Sequence, residues 1–465
     1  MNTQQHQSGF YLLSDNTDAF VARFALAIIA KKTLDIQYYI IHNDASGQYL
    51  AYAILQAADR GVHVRILVDD INLSGRDIRL KMLSQHDNIE IRIFNPLSNR
   101  DWFRNLEMIV HLDRAGRRMH NKVFVADNTA AIIGGRNIGD EYFDNRNDLN
   151  FVDLDVLSVG PIVDDIGSSF DDYWNSCWAT PVEQVSRRRV VKKQLSTIRA
   201  KLRDRWQRAR NSQYFESIQR SDLTKKIISR EIPFVWAKAR FFYDRPEKLT
   251  KSETERTVHL GPHVMPFFEA AQHELLIASP YFVPGKEGLA WFKKKRSKLA
   301  TLKVLTNSLA ATDVIAVHAG YKKYRKRLLK AGVELFELKP TARQKRSRTK
   351  KLIQGSSTAS LHAKYMVVDG RYVFIGSANL DPRSQLLNTE IGIMVDSKEL
   401  ARQASDLYEK TISRESSYRL CFDGKLTWSG LKDGTETIYT SDPDASLFRR
   451  TGVFLLSLLP FESLL

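Results

Sequence analysis

One pattern of polar residues occurs twice in this 465-residue chain with the same internal spacing. In each copy a histidine is followed two positions later by a lysine and seven positions later by an aspartate, and a glycine and an asparagine come next. The copies are His120, Lys122, Asp127, Gly134 and Asn137, then His362, Lys364, Asp369, Gly376 and Asn379. A single chance match is expected on the order of 10⁻⁴ times in such a chain, so the duplication indicates one function built from two halves.

Each copy is predicted to form a β-hairpin. Apolar, β-branched runs at 122–127 and 130–134 surround a turn at 127–129, and runs at 362–369 and 372–376 repeat the design. Residues two apart share one face of a strand, so the histidine and the lysine of each copy point the same way. Unpaired lysines are rarely buried, which disfavours a purely structural role for the two hairpins.

These residue types suit a phosphodiester. Lys122, Lys364, Asn137 and Asn379 are predicted to neutralise the phosphate oxygens, while one histidine attacks phosphorus and the other serves as general acid and base. Two imidazoles can hold different protonation states near neutral pH. Asp127 and Asp369 complete the predicted catalytic set.

Further residues are predicted to contact the substrate or to orient the histidines. Gly134 and Gly376 leave room for a close approach of the backbone, and Gly135 and Ser377 beside them are also expected to contact the substrate. Asp153 and Glu390 follow the two motifs, and each is expected either to hold a histidine ring nitrogen or to form an ordinary salt bridge.

No metal or other cofactor is expected. Neither histidine lies in an H-E-x-x-H pattern, and Cys177 and Cys421 are too few and too far apart to suggest a zinc cluster. The small number of cysteines also suits a reducing compartment.

The repeat extends beyond the motifs. Strands at 34–40, 64–68 and 89–94 with intervening helices precede the first motif, and strands at 274–278, 302–306 and 333–338 with intervening helices precede the second. This alternation predicts an α/β fold of two pseudo-twofold-related domains, each a mixed, mostly parallel sheet flanked by helices. The predicted divisions are a first half at 1–180, a basic connecting segment at 181–245, a second half at 246–415 and a C-terminal extension at 416–465.

Basic residues indicate an acidic partner. The net charge is +17, and clusters lie at 187–193, 198–210, 293–296, 322–327 and 343–351. In the connecting segment, apolar residues at helical spacing predict either a helix lying on an anionic surface or a solvated helix covering the domain junction; they are Val191, Leu195, Ile198, Leu202 and Trp206.

The C-terminal stretch 447–465 is more apolar than its surroundings and begins with two arginines, Arg449 and Arg450. It is too short to span a bilayer, which needs about 20 apolar residues, so it is expected either to lie among lipid headgroups or to dock on the protein. The polar start of the chain lacks the features of a signal peptide. These features predict a peripheral protein on the cytoplasmic face of a bacterial inner membrane.

The paired motifs resemble those of the phospholipase D superfamily. Flanking stretches resemble bacterial cardiolipin synthases of the C type over nearly the whole chain; they are 118–124, 134–143, 305–313, 317–321, 381–384 and 387–390. Gly135 departs from the superfamily pattern, in which a serine is usual, although the C-type branch shares this glycine.

The resemblance implies transfer of a phosphatidyl group through a phosphohistidine, with phosphatidylglycerol as acceptor and phosphatidylethanolamine as donor. By superfamily analogy, His120 is the expected nucleophile. Hydrolysis of lipid or nucleic-acid phosphodiesters is the alternative, and a non-catalytic lipid-binding scaffold is disfavoured because both motif sets are intact. An anionic membrane surface is the expected partner, and nucleic acid is not expected because the chain lacks a recognisable nucleic-acid-binding module.

Overall fold

The computed structural model describes residues 6–73, 77–97, 116–185, 189–251, 255–342 and 358–457. By its internal contacts the chain forms two compact units. Unit 1 comprises Met1–Asn145, Asp155–Leu260 and Leu387–Gly392, and unit 2 comprises Arg146–Leu154, Gly261–Leu386 and Ile393–Leu465. Each unit therefore contains one short segment from the opposite half of the sequence.

The strands of the first half, with the long strand that follows it, are β1 Ser8–Leu13, β2 Thr33–Tyr38, β3 His63–Asp69, β4 Ile89–Phe94, β5 Lys122–Ala126, β6 Ala130–Gly134, β7 Leu149–Val152, β8 Asp155–Val159, β9 Ala179–Pro181 and β10 Val235–Tyr243. Those of the second half are β11 Glu274–Ala278, β12 Thr301–Asn307, β13 Glu334–Leu338, β14 Thr358–Leu361, β15 Tyr365–Val368, β16 Tyr372–Gly376, β17 Ile391–Asp396, β18 Ser417–Asp423, β19 Lys425–Lys432 and β20 Thr435–Tyr439.

The helices are α1 Asn16–Ile29, α2 Ala45–Asp59, α3 Asp77–Leu83, α4 Ile162–Trp174, α5 Val182–Val185, α6 Lys193–Ala209, α7 Gln213–Arg220, α8 Asp222–Ser229, α9 Gly261–Glu269, α10 Gly285–Arg296, α11 Ile315–Lys330, α12 Lys398–Ile412 and α13 Leu447–Ser457. Local sequence explains several of their boundaries. Asp15 accepts hydrogen bonds from the backbone N–H groups of Thr17 and Asp18 at the start of α1, and Ser397 caps α12 through the N–H of Leu400.

The sheet of unit 1 is mixed. Strands β2, β3 and β4 are parallel, while β5, β6, β8, β1 and β10 continue from β2 in antiparallel pairs and β9 is antiparallel to β4. Tyr173 and Trp174 of α4 join the core of this unit with Leu67, Phe94 and Met119. Burial of such side chains stabilises the fold by about 25 cal/mol per Å² of apolar surface.

Unit 2 repeats the arrangement. Strands β11, β12 and β13 are parallel, β15 and β16 continue antiparallel from β11, and β18, β19 and β20 continue antiparallel from β13. A separate parallel pair joins β7 to β14. The predicted fold class, α/β with mixed sheets flanked by helices, is confirmed. The sheets were expected to be mostly parallel, but in the described main sheet of each unit parallel pairing is limited to β2–β3–β4 or β11–β12–β13, and the motif hairpins and the remaining strands are antiparallel.

The helix of the connecting segment, α6, packs on unit 1. The Trp206 ring stacks on Phe24 of α1 and Tyr52 of α2 at centroid distances of 4.8 and 5.8 Å, and Leu202 is buried. Leu202 and Trp206 of the apolar face predicted to meet an anionic surface therefore pack inside unit 1, which corrects that alternative for these two residues, whereas Val191 of the same face is 56% exposed. Arg187 and Arg188 lie outside the described residues, as does the whole basic cluster at 343–351.

Helix α13 packs against α11 within unit 2. The last eight residues, 458–465, lie outside the described part of the chain, so the apolar stretch is described only to Ser457. Among the described residues no helix combines the length and apolar character needed to cross a bilayer.

Candidate active site

The structure groups the motif residues into two half-sites, one in each unit. Half-site 1 consists of His120, Lys122, Asn137 and Glu390 in unit 1, and half-site 2 consists of His362, Lys364, Asn379 and Asp153 in unit 2. All eight side chains are largely buried, with the histidines 7% and 6% exposed and each lysine 1% or less. Each half-site therefore combines a buried lysine, within hydrogen-bonding distance of a backbone oxygen, with a buried carboxylate.

The histidine of half-site 1 is positioned by backbone pairing. The N–H of His120 donates to the carbonyl of Thr389 at 2.9 Å, and the N–H of Thr389 donates to the carbonyl of Arg118 at 2.9 Å. This pairing aligns residues 387–392 beside the chain that enters β5. It brings Glu390 next to His120 although the two are 270 positions apart.

The Glu390 carboxylate holds the His120 ring. Its oxygens lie 2.8 and 3.0 Å from Nδ1 of His120. An ionised carboxylate only accepts hydrogen bonds, so Nδ1 carries a hydrogen and Nε2 is the ring atom left for chemistry. The Tyr39 ring packs edge-on against the imidazole at 5.0 Å and fixes its plane.

Half-site 2 uses the same device with a segment from the first half of the sequence. The N–H groups of His362 and Ala363 donate to the carbonyl of Val152 at 2.8 and 3.0 Å. Asp153 Oδ2 then lies 2.6 Å from Nδ1 of His362, and the Phe151 ring packs on the imidazole at 5.0 Å. The two predicted carboxylates therefore both contact histidines, each with the histidine of the opposite motif.

Each motif lysine is tied to its own histidine. Nζ of Lys122 donates to the carbonyl oxygen of His120 at 2.5 Å, and Nζ of Lys364 donates to the carbonyl oxygen of His362. Lys122 also lies 5.5 Å from the centre of the Tyr39 ring. These contacts hold each ammonium group at the backbone carbonyl of the histidine two residues before it.

Strand β5 begins at Lys122, as predicted. Strand β15 begins at Tyr365, three residues later than predicted, so residues 362–364 form a link between β14 and β15 rather than part of one long strand. The reason is that the backbone N–H of His362 pairs with Val152 of β7 instead of the main sheet. The hairpin turns are as predicted, with positive φ angles at Asp127, Asn128, Asp369 and Gly370.

The motif asparagines differ between the half-sites. Asn137 Oδ1 accepts from the N–H of Ile40 at 3.3 Å, and its Nδ2 donates to the hydroxyl of Tyr142 at 2.9 Å. In contrast, Oδ1 of Asn379 is buried and has no hydrogen-bond partner among the described residues. A buried amide oxygen without a partner is costly unless a bound group satisfies it, so Asn379 is the better placed of the two to meet a ligand.

The motif aspartates hold backbone groups. The Asp127 carboxylate accepts from the N–H groups of Lys31, Lys32 and Thr33 at 2.6–2.9 Å. Asp369 accepts from those of Gln272, His273 and Glu274 at 2.8–2.9 Å. Partial burial acts to raise the pKa of each carboxyl, but these backbone donors outweigh it and the pKa is lowered. Both aspartates thus fasten the start of the strand beside each hairpin, β2 or β11.

The small motif residues end the second hairpin strands. Gly134 is the last residue of β6 and Gly376 the last of β16, and both are buried. Gly135 and Ser377 follow them and are also buried, so both half-sites have little side-chain bulk at these positions. Next to Gly135, the buried Arg136 guanidinium bonds to the carbonyl of Leu13 and to Asn16, whereas Ala378 occupies the equivalent position in half-site 2.

Two residues that the motif reasoning did not include position the chain before each histidine. Asp69, the last residue of β3, accepts from the N–H of Met119 at 2.9 Å. Asn307, the last residue of β12, accepts from the N–H of Leu361 at 2.7 Å and donates to its carbonyl at 2.9 Å. Their common position at the ends of equivalent strands was the sequence signal that could have identified them.

A third missed residue, Asp244, supports Glu390. Its Oδ2 accepts from the N–H of Glu390 at 2.8 Å and from Nζ of Lys248 at 2.9 Å, and its own N–H donates to the carbonyl of Glu390. Burial raises the pKa of Asp244 against the opposing charge of Lys248. Asp244 lies just after β10, far from either motif in sequence, so no local pattern marked it.

Comparison with known proteins agrees with this geometry. The family model described as "Cardiolipin synthase, PLD-like domain" matches residues 27–174 and 264–412, one match around each motif. The chain belongs to the cardiolipin synthase family of phospholipase D-like enzymes. Both halves of this family's duplicated domain are therefore present.

Two full-length relatives extend the match. Cardiolipin synthase C of Escherichia coli strain K12 is 40% identical over 462 residues, which cover 99% of this chain and 96% of that protein. An uncharacterised protein of Helicobacter pylori is 35% identical over 452 residues, 96% of this chain and 87% of that protein. Among solved structures, the phosphatidylserine synthase of Haemophilus influenzae aligns with a TM-score of 0.59, covering 99% of this chain and 98% of that one. At 13% identity this last likeness concerns the fold alone.

Proposed function

We propose that this enzyme makes cardiolipin by transferring a phosphatidyl group from phosphatidylethanolamine to phosphatidylglycerol through a phosphohistidine intermediate. Family membership and 40% identity to cardiolipin synthase C of Escherichia coli support the product. The observation that carries the mechanism is the pair of histidines whose Nδ1 atoms lie 2.8 and 2.6 Å from buried carboxylates.

Those carboxylates give the two imidazoles the same orientation and tautomer. With Nδ1 directed at Glu390 or Asp153, each histidine offers Nε2 to the phosphodiester. A neutral ring presents a lone pair there, and a protonated ring presents an acidic hydrogen. One residue type therefore supplies both the nucleophile and the acid that the reaction requires.

We assign the attack to Nε2 of His120, following superfamily analogy. A bond forms between this nitrogen and phosphorus while the bond from phosphorus to the ethanolamine oxygen breaks. The protonated Nε2 of His362 gives its proton to that departing oxygen. His362 then takes the proton of a glycerol hydroxyl of phosphatidylglycerol, whose oxygen attacks phosphorus as the bond to His120 breaks and restores the free imidazole.

The remaining motif residues stabilise charge on the phosphoryl oxygens. Lys122 and Lys364 supply the ammonium groups, and the Nδ2 amide group of Asn379 supplies a neutral N–H donor; a preorganised donor of this kind contributes about 10²- to 10³-fold to kcat. Gly135 and Ser377 leave space for the phosphate. Nothing in this sequence of steps draws on a metal or other cofactor.

The decisive experiment supplies the purified protein with vesicles of phosphatidylethanolamine and phosphatidylglycerol in the presence of a chelator. We expect mass spectrometry to detect cardiolipin together with free ethanolamine. Formation of phosphatidic acid without cardiolipin would show that the enzyme hydrolyses the lipid rather than transferring the phosphatidyl group. Unchanged lipids together with cleavage of oligonucleotides would establish a nuclease instead.

A second experiment identifies the nucleophile. A phosphatidyl ester of 4-nitrophenol has a leaving group that needs no protonation, so loss of the general acid should spare the first step. We expect His362→Ala to release a burst of nitrophenol and to trap the phosphoenzyme, and His120→Ala to release none. The reverse pattern would assign the attack to His362.

The proposed setting is the cytoplasmic face of a bacterial inner membrane, where the protein is peripheral. The net charge of +17 supports an anionic lipid surface as its partner. Fractionation of cells followed by washing with high salt tests this: a peripheral protein is released, whereas a membrane-spanning one stays with the lipid.

A further inference from the structure

One face of helix α13 packs against the rest of unit 2. Val453 is fully buried in a small core with Leu309, Ala319 and Ala445, and Leu456 packs against this core. The guanidinium of Arg449 donates to the carbonyls of Leu309 and Ala310 at 2.9 Å each. This face of the helix is docked on the protein, as one of the two alternatives predicted.

The opposite face of α13 is apolar and exposed. Leu447, Phe448, Phe454 and Leu455 are 79%, 85%, 55% and 58% exposed. At about 100° per residue these four side chains fall within one arc of about 120° on the helix, with Thr451 between them. Four large apolar side chains on one side of an 11-residue helix form an exposed patch that a soluble surface rarely carries.

A buried ionic cluster fastens this part of the chain. The Arg325 guanidinium of α11 lies 3.0 Å from Glu337 and 2.8 Å from Asp442, and all three residues are buried. The Arg450 guanidinium of α13 donates to the backbone carbonyl of Asp442 at 2.8 Å. The exposed patch is therefore presented by an anchored helix.

The charge around the patch selects the partner. Helix α13 carries two arginines and no acidic residue, and the adjoining α11 carries Lys322, Lys323, Arg325, Lys326, Arg327 and Lys330 with no acidic residue. Of these, Lys326, Arg327 and Lys330 are exposed. Exposed apolar side chains on a helix that carries arginines and no acidic residue are typical of helices that lie in the headgroup region of anionic membranes.

We propose that the face of α13 formed by Leu447, Phe448, Phe454 and Leu455 inserts into the surface of an anionic phospholipid bilayer and docks unit 2 on it. The helix is about 16 Å long at 1.5 Å per residue, so it lies in the plane of the interface rather than across the bilayer. This inference rests on the proposed function, since it names the surface on which the lipid substrates are met.

The test compares Phe448→Glu and Leu455→Glu with the matched control Ile438→Glu. Ile438 on β20 of the same unit is 67% exposed, so the control makes the same chemical change outside α13. Sedimentation with vesicles of phosphatidylglycerol and phosphatidylethanolamine should give a partition coefficient lowered about tenfold to a hundredfold by each α13 variant, because one buried apolar side chain is lost. The control should bind as the unaltered protein does.

Turnover of a short-chain, monomerically dissolved phosphatidylglycerol separates this proposal from the proposed function. We expect the α13 variants to turn over this substrate at the unaltered rate while losing activity on vesicles. If the unaltered protein turned over neither the short-chain substrate nor the vesicles, the proposed function would be contradicted. The vesicle-binding measurement would still test the role of α13.

A labelling experiment covers the case in which a glutamate variant fails to fold. With Cys177 and Cys421, both exposed, replaced by serine, a polarity-sensitive dye is attached at Leu455→Cys or at Ile438→Cys. We expect a blue shift at position 455 alone, on anionic vesicles and much less on phosphatidylcholine vesicles. Equal responses at both positions, or dissociation of a dimer by Phe448→Glu without any change in vesicle binding, would overturn the proposal.

Discussion

Half-site 1 and half-site 2 share their chemical core and differ in what surrounds it. Both hold a histidine Nδ1 on a buried carboxylate and a lysine on the histidine carbonyl. In half-site 1 the supporting carboxylate rests on a buried ion pair, Asp244 with Lys248. In half-site 2 the carboxylate Asp153 accepts the N–H of its own neighbour, Leu154, at 2.8 Å.

The asparagines diverge in the same way. Both amide atoms of Asn137 form hydrogen bonds, Oδ1 with the N–H of Ile40 and Nδ2 with the hydroxyl of Tyr142. In contrast, Oδ1 of Asn379 is buried without a partner among the described residues. The surroundings of the two motif copies therefore differ at the asparagine.

The largest expected effect comes from removing either histidine. His120→Gln and His362→Gln should each lower kcat on phosphatidylglycerol and phosphatidylethanolamine by about 10⁴-fold or more, and the double variant should be no worse than either, because the two act in one reaction. His63→Gln is the matched control, since His63 lies on the surface of unit 1 with Glu90 as its partner. Losses that multiply in the double variant would mean that the half-sites work independently.

Next come the carboxylates. Glu390→Gln and Asp153→Asn should each lower kcat by about 10²- to 10⁴-fold, because an amide can donate to Nδ1 and favour the wrong tautomer. The phosphatidyl ester of 4-nitrophenol distinguishes the two carboxylates. The Glu390→Gln variant should lose the burst of nitrophenol, and the Asp153→Asn variant should retain it. If both variants retain the burst, orientation of His120 by Glu390 is not required for attack.

A smaller effect is expected from Asp244→Asn. It should lower kcat about tenfold with little change in KM, because Glu390 loses its charged support while the substrate contacts remain. Stability should fall by about 3–5 kcal/mol, since Lys248 is left as an unpaired buried charge. Adding Lys248→Met should restore much of the stability, measured by urea unfolding, and not the turnover. Recovery of both together would make the pair purely structural.

The smallest expected effect on turnover comes from the motif aspartates. Asp127→Asn and Asp369→Asn should each cost about 1–3 kcal/mol of unfolding free energy, because three backbone donors lose a charged acceptor. Turnover of the folded variants should stay within about threefold. A loss comparable to that of the histidine variants would show that these aspartates take part in the chemistry.

The same two carboxyls predict a pH effect on stability. Their pKa values are lowered in the folded protein, so the stabilisation they contribute is present above the ordinary value of about 3.9 and is lost as the pH falls through the lower folded values. Acid unfolding curves of Asp127→Asn and Asp369→Asn should therefore approach the curve of the unaltered protein at low pH.

The sequence predicted much of the local structure. Strands β4, β6, β11 and β16 occur at the predicted residues, and the hairpin turns are formed as expected because period-two apolar runs and turn residues act over a few positions. The start of β5 at Lys122 was also predicted, whereas the start of β15 at Tyr365 was missed, because it depends on the pairing of His362 with β7. The direction in which α6 faces was also decided at long range, by aromatic packing on α1 and α2.

The duplicated spacing by itself determined which groups are proposed to carry the chemistry, since imidazole, ammonium and amide at fixed intervals on a hairpin have few other uses. It left open which carboxylate contacts which histidine, because Asp153 and Glu390 are both carboxylates and neither belongs to the repeated spacing. Only the tertiary structure decided this, by pairing the backbones of residues 387–392 with the first motif and β7 with β14. Contacts that join residues 209 and 270 positions apart depend on packing of the whole chain, which no local spacing encodes.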